Sequence, residues 1–130
     1  MERAEAEELV RRLLDSRDPE LEFELRHPDF VADMPQSGER FASRDSLREM
    51  QRGFPGGPPT ITLRRLVGDG DVWVAEATND YGTETFFSVL IIELRDGLIW
   101  RETRYYTGAL EAPEWRALLV EPMPAPVDHA

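Results

Sequence analysis

The sequence predicts an α+β domain in which helices lie on one face of a curved antiparallel sheet. Three observations carry this expectation. Apolar residues first recur at helical spacing, the texture changes at Thr60 to long β-rich runs, and short Asp/Gly turns join those runs. Helices first and sheet afterwards is the segregated order of α+β architecture.

Ala6, Leu9, Val10, Leu13 and Leu14 share one helical face between Glu2 and Ser16, with Glu7 to Arg11 and Glu8 to Arg12 as supporting i,i+4 pairs. Asp18-Pro19 has the form of an N-cap and first helical residue, which predicts a second helix ending before His27-Pro28. The same stretch alternates Leu21, Phe23 and Leu25 with Glu20, Glu22 and Glu24, which is the strand template, so helix and strand compete there. Residues 29–36 read as a short strand, followed by a Ser37-Gly38 turn and a second short strand through Phe41. Ser43 or Ser46 caps a third helix with Leu47, Met50 and Phe54 on one side and Gly53 near its end. Residues 55–59 are loop. Strands are expected at 60–67, 72–79, 83–94 and 98–107. The breaks between them, Gly68-Asp69-Gly70, Asp80-Tyr81-Gly82 and Asp96-Gly97, predict consecutive antiparallel hairpins. A short helix at 113–119 closes the single domain, residues 1–119, and residues 120–130 form a proline-rich tail.

Composition removes much chemistry. The 130 residues suit one domain, and all 15 basic residues are Arg. With neither Lys nor Cys, the chain has no Schiff-base lysine, P-loop lysine, thiol nucleophile, disulfide or thiolate metal site. A net charge of -11 argues against nucleic acid and against anionic membrane surfaces, because both need clustered cations. The N-terminus lacks the basic and apolar regions of a signal peptide, and the longest apolar run, 86–92, is too short to span a bilayer, so a cytoplasmic protein is expected. His27 and His129 lie far apart and Asp69-Gly70-Asp71 lacks the rest of a calcium loop, so no metal is expected. No Gly-x-Ser-x-Gly or Gly-rich dinucleotide fingerprint occurs, which leaves cofactor-independent chemistry or plain binding.

The order helix, helix, MPQSGER strand, capped helix and four strands, the last carrying DGLIWRETRYY and followed by APEWR, resembles the NTF2-like superfamily, and within it the SnoaL-like branch, over residues 1–116. The resemblance implies a cone: a strongly bent sheet wrapped around the helices, with a pocket open at one end. That branch includes polyketide cyclases, ketosteroid isomerases and limonene epoxide hydrolases, so the fold alone does not choose an activity. Where a ketosteroid isomerase has its Asp base, Tyr donor and protonated Asp, this chain has Met34, Val10 and Leu90, none of which transfers a proton. Where epoxide hydrolases have an Asp beside an Arg in the last strand, it has Glu102 and Arg104. The resemblance also implies a homodimer through the outer sheet face, which suits the two-sided apolar strand at 83–94.

Alternation divides the last strand into two sets, and family analogy turns Trp100, Glu102, Arg104 and Tyr106 into the cone. A three-residue loop at Asp96-Gly97 sets Ser88, Leu90 and Ile92 beside them, and a two-residue loop shifts the register by one. A Glu and an Arg two apart, flanked by aromatics, suit a hydrophobic, oxygen-bearing small molecule such as a polyketide or terpenoid intermediate. Arg104 and Tyr106 stabilise an oxyanion, and Glu102 acts as general base if desolvation raises its pKa. The alternative is a buried structural Glu102–Arg104 pair, or an outward pair facing a partner subunit, in a non-catalytic binding or interaction module. Glu76 is either a second pocket carboxylate or a solvent-facing strand residue. Met34, Trp73, Trp100 and Leu90 are expected as lining, and Trp115 as a lid at the open end. Asp33 is read as structural, and His27 as polar or capping.

Overall fold

The computed structural model describes residues 1–124; residues 125–130, which hold His129 and most of the expected tail, lie outside the described residues. Helix α1 (Arg3–Asp15) buries the predicted face Ala6, Leu9, Val10, Leu13 and Leu14. In the contested stretch the cap wins over the alternation. Asp18 accepts a hydrogen bond from the Glu20 backbone N–H at 3.0 Å, and α2 (Pro19–Leu25) follows. A helix there turns Glu22 and Leu25 inward and leaves Leu21 exposed, which strand alternation could not do.

The chain passes directly into β1 (Arg26–Met34), then β2 (Glu39–Phe41) and α3 (Arg44–Arg52), which Ser43 caps by accepting from the Ser46 N–H. The long strands are β3 (Thr60–Asp69), β4 (Val72–Asp80), β5 (Thr85–Arg95) and β6 (Leu98–Thr107). The described residues form one six-stranded sheet in the order β2-β1-β6-β5-β4-β3. The hairpins are antiparallel as expected, while β1 pairs with β6 in parallel, so the sheet is mixed. β1 starts earlier than the sequence suggested, and its ladder to β6 is irregular between Arg26 and Val31, where Pro28 has no N–H to give.

The β5–β6 hairpin resolves the register question. Asp96 and Gly97 both have positive φ, +54° and +73°, in a two-residue turn, and Arg95 pairs with Leu98. A two-residue loop by itself would face Glu102 and Arg104 the wrong way. One extra residue in β6 corrects this: Leu94 pairs with Ile99 but Glu93 with Arg101, so Trp100 is bulged. Beyond the bulge Ile92, Leu90 and Ser88 lie opposite Glu102, Arg104 and Tyr106. A second irregularity interrupts the β3–β4 ladder between Leu63 and Arg65, and bulges of this kind bend and twist the strands that carry them.

The core fills the space between α1 and the inner sheet face. It includes Phe30, Leu47, Leu63, Trp73, Ile92 and Ile99. Trp73 is 1 % exposed and donates from its indole to the Gly70 carbonyl; a Cβ on Gly68 would sit 2.6 Å from its ring, so that glycine is required by close approach. After β6 a 3-10 turn at Glu114–Leu119 buries none of its residues. Among the described residues no helix is long and apolar enough to cross a membrane.

Candidate functional site

Four charged side chains converge under the inner sheet face. Glu102 is fully buried, with one oxygen accepting from Arg26 Nε at 3.0 Å and the other from Arg104 Nε and Nη2 at 2.9 and 2.6 Å. Burial alone would push its carboxyl up, but the Arg104 and Arg26 guanidiniums outweigh burial and hold it down at about 2. Burial likewise opposes the charge of Arg104, yet Glu102 overcomes it and raises the Arg104 pKa. A carboxylate this stable is a weak base at neutral pH, so desolvation does not make Glu102 the proton acceptor the sequence suggested. Its geometry instead fixes two guanidiniums.

Glu22 is the carboxyl that moves the other way. Burial pushes its pKa up, and the opposing Arg26 charge and Gln51 hydrogen bond do not cancel that. Gln51 Nε2 donates to Glu22 Oε1 at 3.1 Å, and Arg26 Nη2 lies 3.6 Å from the same oxygen. The i,i+4 spacing of Glu22 and Arg26 was a signal for this pair, but it is visible only if 19–25 is helical.

These groups border a cavity of about 110 Å³ between α1, α3 and the sheet, with Leu14, Leu90 and Asn79 among its walls. A second chamber of about 350 Å³ includes Met34, Phe41 and Phe86. The two share Met50, Phe54, Tyr81, Arg104 and Tyr106, so Arg104 and Tyr106 stand at their boundary. Phe54 stacks on Tyr81 at 5.3 Å and Tyr81 meets Phe86 edge-on at 5.7 Å, making an aromatic wall. Burial, then the neighbouring Tyr106, raises the Tyr81 pKa, so its phenol stays protonated. Ser88 donates to Asn79 Oδ1 at 2.8 Å and closes the polar side. A larger groove, about 500 Å³, lies on the opposite sheet face against Arg65, Phe87, Val89 and the chain's own Met123. The inner chambers are the candidate site because the buried charges converge there.

The structure brings Glu102, Arg104, Tyr106, Leu90 and Met34 to these chambers, and it separates the other expected residues from them. Glu76 sits on the outer face, paired with Arg65 at 3.6 Å, because Ala75 and Ala77 occupy the inner positions. Trp100 is the bulged residue, set between the guanidiniums of Arg95 and Arg101 at 5.4 and 5.8 Å from its ring. Trp73 is core under α1. Trp115 is 79 % exposed and covers no opening, since its 3-10 turn does not pack back. His27 bridges Asp96 of the β5–β6 turn and the Asp29 N–H, a tie between strands. Asp33 pairs with Arg40 across β1–β2. Sequence reading missed Glu22, Arg26 and Gln51.

A SnoaL-like domain match spans residues 6–102. The chain belongs to the SnoaL-like family. Among curated proteins none is significantly similar. Similar solved structures include an NTF2-like protein of unknown function from Burkholderia xenovorans LB400, 30 % identical, covering 93 % of this chain and 97 % of that one with a TM-score of 0.81. A candidate ketosteroid isomerase from Kribbella flavida DSM 17836 is 29 % identical over 97 % of this chain and 95 % of that one, with a TM-score of 0.84. A de novo designed protein with a curved β-sheet shares the fold at 16 % identity, 92 % and 93 % coverage and a TM-score of 0.68. Likeness of fold does not choose an activity, so function must be argued from the site.

Proposed function

We propose that this SnoaL-like protein binds a small, hydrophobic, oxygen-bearing molecule of polyketide or terpenoid type in the inner chambers. Its oxygen meets Arg104 and Tyr106, and it is processed by cofactor-independent acid/base chemistry. The observation that supports this is Arg104, anchored from behind by Glu102, at the boundary of two apolar chambers. An oriented buried cation polarises a carbonyl far better than a solvated one, because no solvent need reorganise around it. Glu22 is then the proton-exchanging group, and Glu102 a positioning residue. The second chamber, at about 350 Å³, falls in the roughly 300–1,000 Å³ usual for ligand sites.

A binding module without catalysis is the second reading, favoured by one fact: both oxygens of Glu102 are occupied by guanidiniums. Incubation with a panel of aromatic polyketone and terpenoid epoxide compounds, read by thermal shift and by proton NMR, separates the two. Stabilisation with product formation lost on Glu22→Gln supports the acid/base reading; stabilisation without product supports binding alone. Absence of any stabilisation across the panel removes both.

For the partner we propose a second copy of the chain on the outer sheet face, where Val72, Phe87, Val89 and Tyr105 are 38–50 % exposed. Light scattering giving the monomer mass would overturn this.

A further inference from the structure

Resting on the pocket reading above, the charges of the site go further and specify the charge of its ligand. The buried network joins Glu22 of α2, Arg26 of β1, and Glu102 and Arg104 of β6, with Gln51 of α3 beside Glu22. From the α1 side Leu13, Leu14 and Ser16 reach the cavity and bring no charge. Both guanidiniums stay protonated and Glu102 stays a carboxylate between them. The charge of the network therefore turns on Glu22. With Glu22 ionised the four groups sum to zero; with Glu22 neutral they carry one positive charge inside apolar walls.

Two contacts show where a proton and an anion fit. Gln51 donates from Nε2 to Glu22, while its buried Oε1 has no donor among the described residues. A protonated Glu22 is such a donor, and a half-turn of the amide exchanges its two ends without changing shape. Arg104 directs Nε and Nη2 to Glu102, whereas among the described residues Nη1 has only the Tyr106 hydroxyl, at 3.5 Å. An N–H at the boundary of both chambers remains for a ligand oxygen.

We propose that the cavity takes a small, mostly apolar molecule bearing a single anionic oxygen group, held at Arg104 Nη1 and the Tyr106 hydroxyl, and that Glu22 takes up a proton as the anion enters. For a carboxylate ligand the proton comes from solvent. For a neutral ketone, the proton leaves the carbon next to the carbonyl for Glu22, and the C–H electron pair becomes the enolate whose oxygen sits at Arg104. Either way the bound state couples neutral Glu22 with one negative charge. An anion in the cavity that Glu22 also lines disfavours its ionised form, and reciprocally a protonated Glu22 strengthens anion binding, so affinity falls as pH rises.

The test is isothermal titration of the full chain with benzoate, cinnamate and 2-naphthoate against their primary amides. It is run in two buffers of different ionisation enthalpy and between about pH 6 and 8, where these acids are anionic. The expected result is about ten-fold or tighter binding of the acids, a buffer-dependent enthalpy that reports net proton uptake, and weakening with rising pH. Glu22→Gln, which fixes that position neutral, is expected to lose both the buffer dependence and the pH dependence. Amides binding as well as acids, no uptake in the unsubstituted chain, or unchanged uptake in Glu22→Gln each overturns the inference while leaving a pocket for neutral compounds. The uptake measured on the unsubstituted chain stands without the variant. If acids and amides fail to bind and no compound of the thermal-shift panel stabilises the chain, the pocket reading itself falls and takes this inference with it.

Discussion

Two glutamate–arginine pairings occupy opposite faces of one sheet. Inside, Glu102 meets Arg26 and Arg104 with its side chain fully buried and every contact at 3.0 Å or less. Outside, Glu76 and Arg65 are 3.6 Å apart, with side chains 52 % and 68 % exposed. The residue types are the same, but the water is not. Buried, the pairing fixes protonation states and aims a guanidinium at a cavity; exposed, it is screened and contributes little. What separates the two fates is the face on which each residue falls, and in β6 that depends on one bulged residue.

Removing that residue is the most drastic way to break the contrast. Deleting Trp100 slides Glu102 and Arg104 by one position and turns them outward, so the variant is expected to lose cooperative unfolding in circular dichroism. Trp100→Ala, which keeps the extra residue, is expected to retain it. A deletion variant that melts like the parent would show that the bulge does not set the face.

Next in size, Glu102→Gln leaves two buried guanidiniums sharing one neutral acceptor. We expect a loss of about 3–5 kcal/mol in urea unfolding. The same pairing sets an acid limit. The Glu102 pKa is depressed when folded, from an ordinary value near 4.5 to about 2, so its stabilisation is complete above 4.5 and disappears as pH falls toward 2. Acid titration of stability is expected to show this loss in the parent and a flatter profile in Glu102→Gln.

Glu22 has the opposite sign within the same network. Its folded pKa is raised, so the folded state binds more protons than the unfolded one, and stability falls as pH rises above the unfolded value. Glu22→Gln is therefore expected to gain relative to the parent as pH rises above the ordinary carboxylate range, measured by denaturant midpoints. The smallest effect belongs to the outer pair: Glu76→Gln should stay within about 0.5 kcal/mol, and less at high salt. A loss of several kcal/mol there would mean that the outer face is covered in solution.

Much of the fold was legible in the sequence. Ala6 through Leu14 announced α1, Asp18-Pro19 announced α2, and the Asp/Gly turns divided the hairpins, because capping and turn chemistry act over four or five neighbouring residues. The site was legible only in part. Leu90, Arg104 and Tyr106 reach the chambers, while Trp100 and Glu76 do not, because alternation tells which residues share a face but not which face is inside. Glu22 was hidden by the competition in its segment: the strand template groups it with Glu20 and Glu24, whereas the helix turns it toward Arg26 and Gln51.

By itself the amino-acid sequence determined the α+β class, the order of elements, and the exclusion of lysine, thiol and thiolate-metal chemistry, since composition and short-range periodicity are local properties. Tertiary structure alone decided the parallel β1–β6 pairing, the corrected register of β6, and which carboxyl would be held charged and which pushed toward neutrality. Those outcomes depend on distances between residues up to 76 positions apart, as Arg26 and Glu102 are, and on water being excluded between them.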